Sequence, residues 1–232
     1  MNQPMKTIVI DTSLATGSVA AIDGDRIAGR TLPTAGEHAR LLAAAVEAVA
    51  AELGWKTAAV ELVAVVRGPG SFTGLRVGVT TAKALCWTTG SRLVGVSSCE
   101  VIARGTATAL GRHDAPVTVA FDAGRGEVFA ARVVPTAHSP TGWSVEPGAL
   151  AAAQIWLTDL PPGSIVTGPG LALLADALAS RPDLVVAPLT VWTPAVAEIG
   201  QIATLRAAAG EADDPATLVP DYIRPSYADE KR

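Results

Sequence analysis

An apolar run that ends on an aspartate, a short turn and a second apolar run occur twice in this chain. Residues 7–11 (TIVID) lead through Thr12 to Gly17 into 18–22, and residues 117–121 (VTVAF) lead through Asp122 and Ala123-Gly124-Arg125-Gly126 into 127–134. Both first runs are continuous and rich in β-branched residues, as expected of a strand covered on both faces. Such a duplication restricts the fold to two similar α/β units laid out in succession.

The pattern after each opening is also parallel. In the first half, Asp23-Gly24-Asp25 joins 18–22 to a third strand at 26–30, a hairpin signal that predicts positive φ at both central residues. Residues 37–53 predict a helix with Leu42, Val46, Val49 and Leu53 as its core stripe. A strand at 62–67 runs into Gly68-Pro69-Gly70, followed by a helix at 71–88 with Ser71 as N-cap, a strand at 93–96 and a helix at 99–109. The second half continues with a strand at 165–167, the turn Gly168-Pro169-Gly170, a helix at 171–179, a strand at 184–187 and a helix at 194–209. The Pro/Gly-rich stretch 135–148 reads as a loop insertion. The expected fold class is α/β: two ribonuclease-H-like lobes with mixed sheets and flanking helices, as in actin, hexokinase and Hsp70 (the ASKHA fold). The expected division is 1–104 and 105–232.

Composition narrows the function. Hydrophobic residues make up 49% and charged ones 17% of the chain, which excludes disorder of the whole. The formal charge is −4 with no run of Lys and Arg; this argues against unaided nucleic-acid binding, whose affinity comes largely from phosphate neutralisation. Cys86 and Cys99 lie in apolar stretches and read as buried thiols. No two of His38, His113 and His138 have the spacing of a chelating helical pair, and no Ser-His-Asp or Cys-His arrangement follows from spacing. The segment 1–6 is polar, the run 8–10 is too short for a signal peptide, and nothing reaches the roughly 20 apolar residues of a membrane span. A soluble, cytosolic chain is expected.

Three features invite a functional reading. The segment 68–76 (GPGSFTGLR) sits between strand and helix, where backbone N–H groups can meet an anion, yet it fits neither G-x-G-x-x-G nor the P-loop; a tight, close-packed turn is the better reading. Asp11-Thr12-Ser13 occupies the place where actin-like ATPases hold metal and phosphate, without the glycine those enzymes use. With Asp122 it reads as a vestigial nucleotide site, or more simply as polar strand ends. The helices 37–53 and 71–88 carry a second face of small residues: Leu41, Ala44, Ala45, Ala48 and Ala51 on one, and Gly74, Gly78, Thr81, Ala82 and Ala84 on the other. Bare helices permit close approach of another backbone, and a neighbouring chain is the expected one. His38, near a helix start, reads as a surface or interface residue.

Ile10-Asp11-Thr12-Ser13, Glu37-His38-Ala39-Arg40-Leu41-Leu42, the segment 68–76, Gly95-Val96-Ser97-Ser98, Asp122 to Val128 and Pro220-Asp221-Tyr222-Ile223-Arg224 occur in order over almost the whole chain. Together they resemble the TsaB (YeaZ) family, with GPGSFTGLRVG and GVSS the most specific parts. The resemblance implies a non-catalytic partner of the catalytic subunit TsaD in bacterial synthesis of threonylcarbamoyladenosine (t6A) in tRNA. It also implies the ATPase TsaE as a third component, tRNA contact only through the complex, and a homodimer when alone. The catalytic relative holds its metal with His-x-x-x-His after the shared turn; here Ser98 and Ile102 fall on those positions, which implies no metal and no catalytic residue. No cofactor is implied for the isolated chain, and a nucleotide at a junction of the complex stays open. The interface implied runs over Glu37, His38, Leu41, Ala45, Ala48, Ser71, Phe72, Thr73, Leu75, Arg76, Val79 and Lys83. The tail 216–232 is implied to return to the first lobe. The rival reading is an active actin-fold ATPase or kinase using Asp11 and Asp122, or a metalloprotease-like enzyme.

Overall fold

A computed structural model describes residues 5–33 and 35–224. In chain order the elements are β1 (Thr7–Asp11), β2 (Gly17–Asp23), β3 (Arg26–Leu32), α1 (His38–Glu52), β4 (Leu62–Gly68), α2 (Phe72–Thr89), β5 (Arg92–Ser97) and α3 (Ser98–Leu110). They continue with β6 (Val117–Gly124), β7 (Glu127–Pro135), β8 (Trp143–Val145), β9 (Ala149–Ala152), α4 (Ala153–Asp159), β10 (Ile165–Thr167), α5 (Ala175–Leu178), β11 (Val185–Val186) and α6 (Val196–Ala208). Among the described residues no helix is long and apolar enough to cross a membrane.

The first unit holds a sheet in the order β3-β2-β1-β4-β5. β1 pairs with β2 antiparallel and with β4 parallel, so β1 lies in the middle and all five of its residues are buried. Side chains alternate across a strand: Ile8 and Ile10 join the cluster that includes Leu42, Val46 and Val49 of α1 and Val79 and Ala82 of α2. On β1, Val9 lies instead beside Gly200 of α6. The predicted stripe Leu42, Val46, Val49 and Leu53 is buried throughout. The β2–β3 turn is tighter than expected: Asp23 pairs with Arg26, and only Gly24 of the two central residues has positive φ, 61°.

The second unit repeats the order. Its sheet runs β11-β10-β6-β7-β8, with β9 also on β7, so β6 is central, β7 antiparallel to it and β10 parallel. The expected α/β architecture with two duplicated sheets and flanking helices is therefore present. Several local expectations change. The stretch 135–148 is not all loop: β8 lies within it, and β9 and α4 follow it. In place of one helix at 171–179 there is a 3-10 turn, Pro169–Leu174, and the short α5. Pro169 and Gly170 enter that turn, and Gly168 at φ 104° precedes it.

The units do not divide at 104. One comprises Met1–Ser98 with Val196–Asp221, the other Cys99–Ala195 with Tyr222–Arg232. α6, assigned from sequence order to the second lobe, packs on β1, β2, β4 and β5 of the first. Residues 213–221 return with it. Asp213 N donates to Leu93 O at 2.8 Å and Asp221 N to Arg67 O at 2.7 Å, Gly95 N donates to Asp213 Oδ2 at 2.8 Å, and Leu218 enters the core of the first unit. Arg224 instead binds the second unit, donating to Ala123 O at 3.3 Å and pairing with Glu127. The rest of the expected returning tail, 225–232, lies outside the described residues.

Candidate functional site

At the tip of β1 the chain packs backbone on backbone. Ser71, the N-cap of α2, accepts from Gly74 N through its side chain at 3.3 Å, and its own N–H donates to Ser13 O at 2.7 Å. Thr12 Oγ1 donates to Gly74 O at 2.7 Å. A Cβ on Gly74 would stand 2.0 Å from Thr12 O, one on Gly78 2.4 Å from Thr12 Oγ1, and one on Gly70 2.4 Å from Ser13 O. The bareness of α2 at Gly74 and Gly78 thus serves a neighbour other than the expected partner chain: it admits the chain's own β1–β2 turn. The motif 68–76 is the close-packed turn read from its spacing.

Asp11 sits beneath this turn, 3% exposed, its Oδ1 accepting from Ser13 N at 2.8 Å. Burial pushes its carboxyl up to about 6, against the opposing pull of the hydrogen bonds from Ser13. The folded chain therefore binds a proton that the unfolded chain has already released above 3.8. Stability is highest with Asp11 protonated and falls as pH rises through the window from 3.8 to about 6. Asp11→Asn keeps the acceptor for Ser13 N and removes the charge. Relative to wild type it is expected to gain on the order of 2–3 kcal/mol between pH 4 and pH 7.5, read as urea midpoints at the two pH values. Equal gains at both pH values would show that Asp11 is not the titrating group. Asp122, in the second unit, is exposed and accepts from Gly124 N at 2.7 Å through Oδ1, stabilising the β6–β7 turn in which Arg125 adopts φ 58°.

His38 departs from its expected place. It is 0% exposed, its ring against Gly17 at the start of β2, where an added Cβ would lie 3.1 Å from Cε1 and Nε2. It is a core residue, not a surface or interface one. Leu75 and Val79 are likewise buried within their own unit, because the face of α2 that carries them lies on β4 and β1. Lys83 is half-buried, its Nζ donating to Ala216 O at 3.3 Å and Leu218 O at 3.1 Å, so it fastens the returning segment 213–221. The remaining residues named from the motifs stay near the surface. Glu37 is ion-paired with Arg40. Leu41 and Ala45 pack at the rim of the core, and Ala48 is exposed. Ser71 is half-buried, while Phe72, Thr73 and Arg76 are exposed, with the Arg76 guanidinium 3.9 Å from the centre of the Phe72 ring.

What remains is an outer face on two adjoining helices. α1 presents Ala44, Ala48 and Ala51, and α2 presents Thr73, Thr80, Ala84, Trp87 and Thr88. Val77 and Leu85 pack at the core's rim beside Leu41 and Ala45. Trp87 is 68% exposed, a large apolar side chain standing among alanines and threonines. The sequence reading missed it because a Trp near a helix end fits a core stripe equally well; helical phase set by the buried Val79, Ala82 and Cys86 puts it outside.

Ser98 and Ile102, which the resemblance sets where a metal-binding pair was expected to be lost, are both buried. The Ser98 hydroxyl donates to Pro69 O at 2.7 Å, and isoleucine has no electron pair to give a metal. Among the described residues no group of three His, Cys, Asp or Glu side chains could hold an ion. Cys86 and Cys99 are both buried and form no disulfide with each other.

Comparisons with known proteins agree with the resemblance. Residues 33–139 match a family model described as "TsaD: tRNA N6-adenosine threonylcarbamoyltransferase". The Bacillus subtilis protein described as "tRNA threonylcarbamoyladenosine biosynthesis protein TsaB" is 33% identical over 127 residues, 54% of this chain and 53% of the relative. The Escherichia coli protein of the same description is 30% identical over 125 residues, again 54% and 53%. The chain thus spans about half the length of the curated relatives it matches. YeaZ from Pseudomonas aeruginosa shares the fold with a TM-score of 0.77 at 22% identity, over 94% of this chain and 100% of that one.

Proposed function

We propose that this chain, a TsaB/YeaZ-like protein by its motifs and its fold, acts in tRNA threonylcarbamoyladenosine synthesis as a non-catalytic subunit. In this reading it docks a TsaD-type catalytic subunit on the outer face of α1 and α2, works with the ATPase TsaE, and meets tRNA only through the complex. The carrying observation is the face itself: α2 exposes Trp87 along with Thr73, Thr80, Ala84 and Thr88, and α1 exposes Ala44, Ala48 and Ala51 beside the charge of Glu47. Small side chains let a second pair of helices approach closely, and an exposed aromatic is the kind of group that anchors an interface core. The chemistry supports a supporting role. The match at 33–139 is to a transferase family, yet the positions where that enzyme would need histidines carry Ser98, held by Pro69 O, and Ile102. With a net charge of −4, the chain leaves the tRNA phosphates to its partners.

The test is co-purification with a TsaD-type subunit, then a t6A assay with that subunit, TsaE, ATP, threonylcarbamoyl adenylate and tRNA. Capture of the partner and modification that depends on this chain support the reading. Modification by the partner at full rate without this chain overturns it. The rival enzyme reading calls for micromolar ATP binding and Mg²⁺-dependent turnover by the isolated chain, lost in Asp11→Ala; the burial of Asp11 beneath its own turn speaks against it.

A further inference from the structure

His38 is a fully buried, ionisable side chain that the proposed function does not use. It is the first residue of α1, the helix that carries half of the outer face. Its ring lies against Gly17, whose added Cβ would meet both Asp11 O, at 2.8 Å, and the ring atoms Cε1 and Nε2. Among the described residues neither ring nitrogen has a hydrogen-bond partner of good geometry, the Leu32 backbone offering only a weak one. A neutral imidazole tolerates such a place as a flat, weakly polar ring. An imidazolium does not, because a buried charge needs a counter-ion and two acceptors.

We propose that His38 is an acid-sensitive latch: it holds the first turns of α1, and with them the docking face, in place only while its ring is neutral. The regulatory meaning rests on the docking role proposed for α1; the latch itself does not.

Among the described residues the surroundings offer an imidazolium no anion, and α2, which packs on α1, brings only the cations Arg76 and Lys83. Of the elements around the ring, β1 contributes Asp11, whose carboxyl, pushed up to about 6 by burial, is itself becoming neutral as a histidine begins to charge. β2 contributes only Asp23, at its far end from Gly17. β3 contributes Arg26, which donates to Leu53 O, and Arg30, which pairs with Glu52. Next to His38, Glu37 turns outward to pair with Arg40. Burial lowers the His38 pKa from 6.5, opposed only in part by the Leu32 backbone. Stability from a neutral His38 is thus complete above pH 6.5 and is lost as pH falls below it. Because His38 begins the helix, its ring can leave by opening the first turns alone, with the sheet intact.

The experiment is hydrogen exchange of the full chain between pH 7.5 and 5, corrected for the intrinsic rate, with the histidine Cε1–H signals followed by NMR in the same samples. The expected result is that His38 keeps its neutral signal as the pH falls. Protection of the first turns of α1 should then fall about tenfold per pH unit, the slope of one proton taken up on opening, with β1 and β4 still protected. His38→Leu should abolish that slope. A smooth His38 titration with α1 protected throughout overturns the latch, as does an unchanged slope in His38→Leu. If that variant does not fold, the wild-type signals and slope decide alone. Partner capture at pH 7.5 is scored separately. Capture insensitive to changes on the α1–α2 face removes the docking reading and leaves the latch; capture sensitive to those changes with a flat exchange profile removes the latch alone.

Discussion

Gly74→Ala is expected to cost more than about 3 kcal/mol and to leave little folded protein at 37 °C, although alanine is the better helix former. Its Cβ would stand 2.0 Å from Thr12 O, and the atom it meets is backbone, fixed by β1 on one side and by the bond from Thr12 Oγ1 to Gly74 O on the other. Relief requires the β1–β2 turn to lift from α2. That breaks this bond and the one from Ser71 N to Ser13 O, each worth about 1 kcal/mol, on top of about 1–3 kcal/mol of overpacking. Gly78→Val meets Thr12 Oγ1 in the same way and should behave alike. Gly105, in α3, supplies the control, since a Cβ there has nothing within 4 Å. Gly105→Ala should stabilise by about 0.5–1 kcal/mol through helix propensity. Thermal and urea unfolding of the three variants would read the opposite signs; a mild effect of Gly74→Ala would mean that the turn is not seated on α2 as described.

On the outer face the second large effect is in binding rather than in stability. Ala48→Arg and Ala84→Arg replace exposed small residues, so their melting temperatures should stay within about 2 °C of wild type. Each long charged side chain would prop two helix pairs apart and lose its hydration at their junction. Partner affinity should drop at least about 100-fold, near 3 kcal/mol, and t6A formation should fall with it. Trp87→Ala should lose on the order of 2 kcal/mol of binding as an anchor residue. Titration calorimetry with the catalytic subunit, beside circular dichroism of the free variants, separates the two quantities. Unchanged affinity in both arginine variants would place the partner elsewhere. Arginine at Val79, by contrast, would test only the fold, since that side chain lies in the core.

Much of the architecture was legible because the physics is local. The run 7–11 could only be a covered central strand, and Leu42, Val46 and Val49 recur at the spacing of one helical face. What was not legible depends on distant neighbours. Glycines at 74 and 78 announce a close backbone but do not say whose, and it is the chain's own Thr12. The exposure of a histidine after a turn depends on what Gly17 leaves room for. β8 and β9 are short, and their lateral bonds to β7, not their own residues, make them strands, β8 among the prolines and glycines of 135–148 and β9 just after them. The destination of α6 is absent from any local pattern, since Ile199, Ile202 and Ala203 suit either sheet.

That destination bears on how the protein is made. The five-stranded sheet is complete in sequence once β5 has been synthesised, yet Ile199 and Ile202, which cover one of its faces, emerge only after Cys99–Ala195, the main part of the second unit. On a ribosome adding roughly 5–20 residues per second, that apolar face waits several seconds for its cover. A nascent chain stopped before Val196 should therefore recruit holdase chaperones, and a gene fragment ending at the sheet's last strand should yield aggregates rather than a soluble lobe.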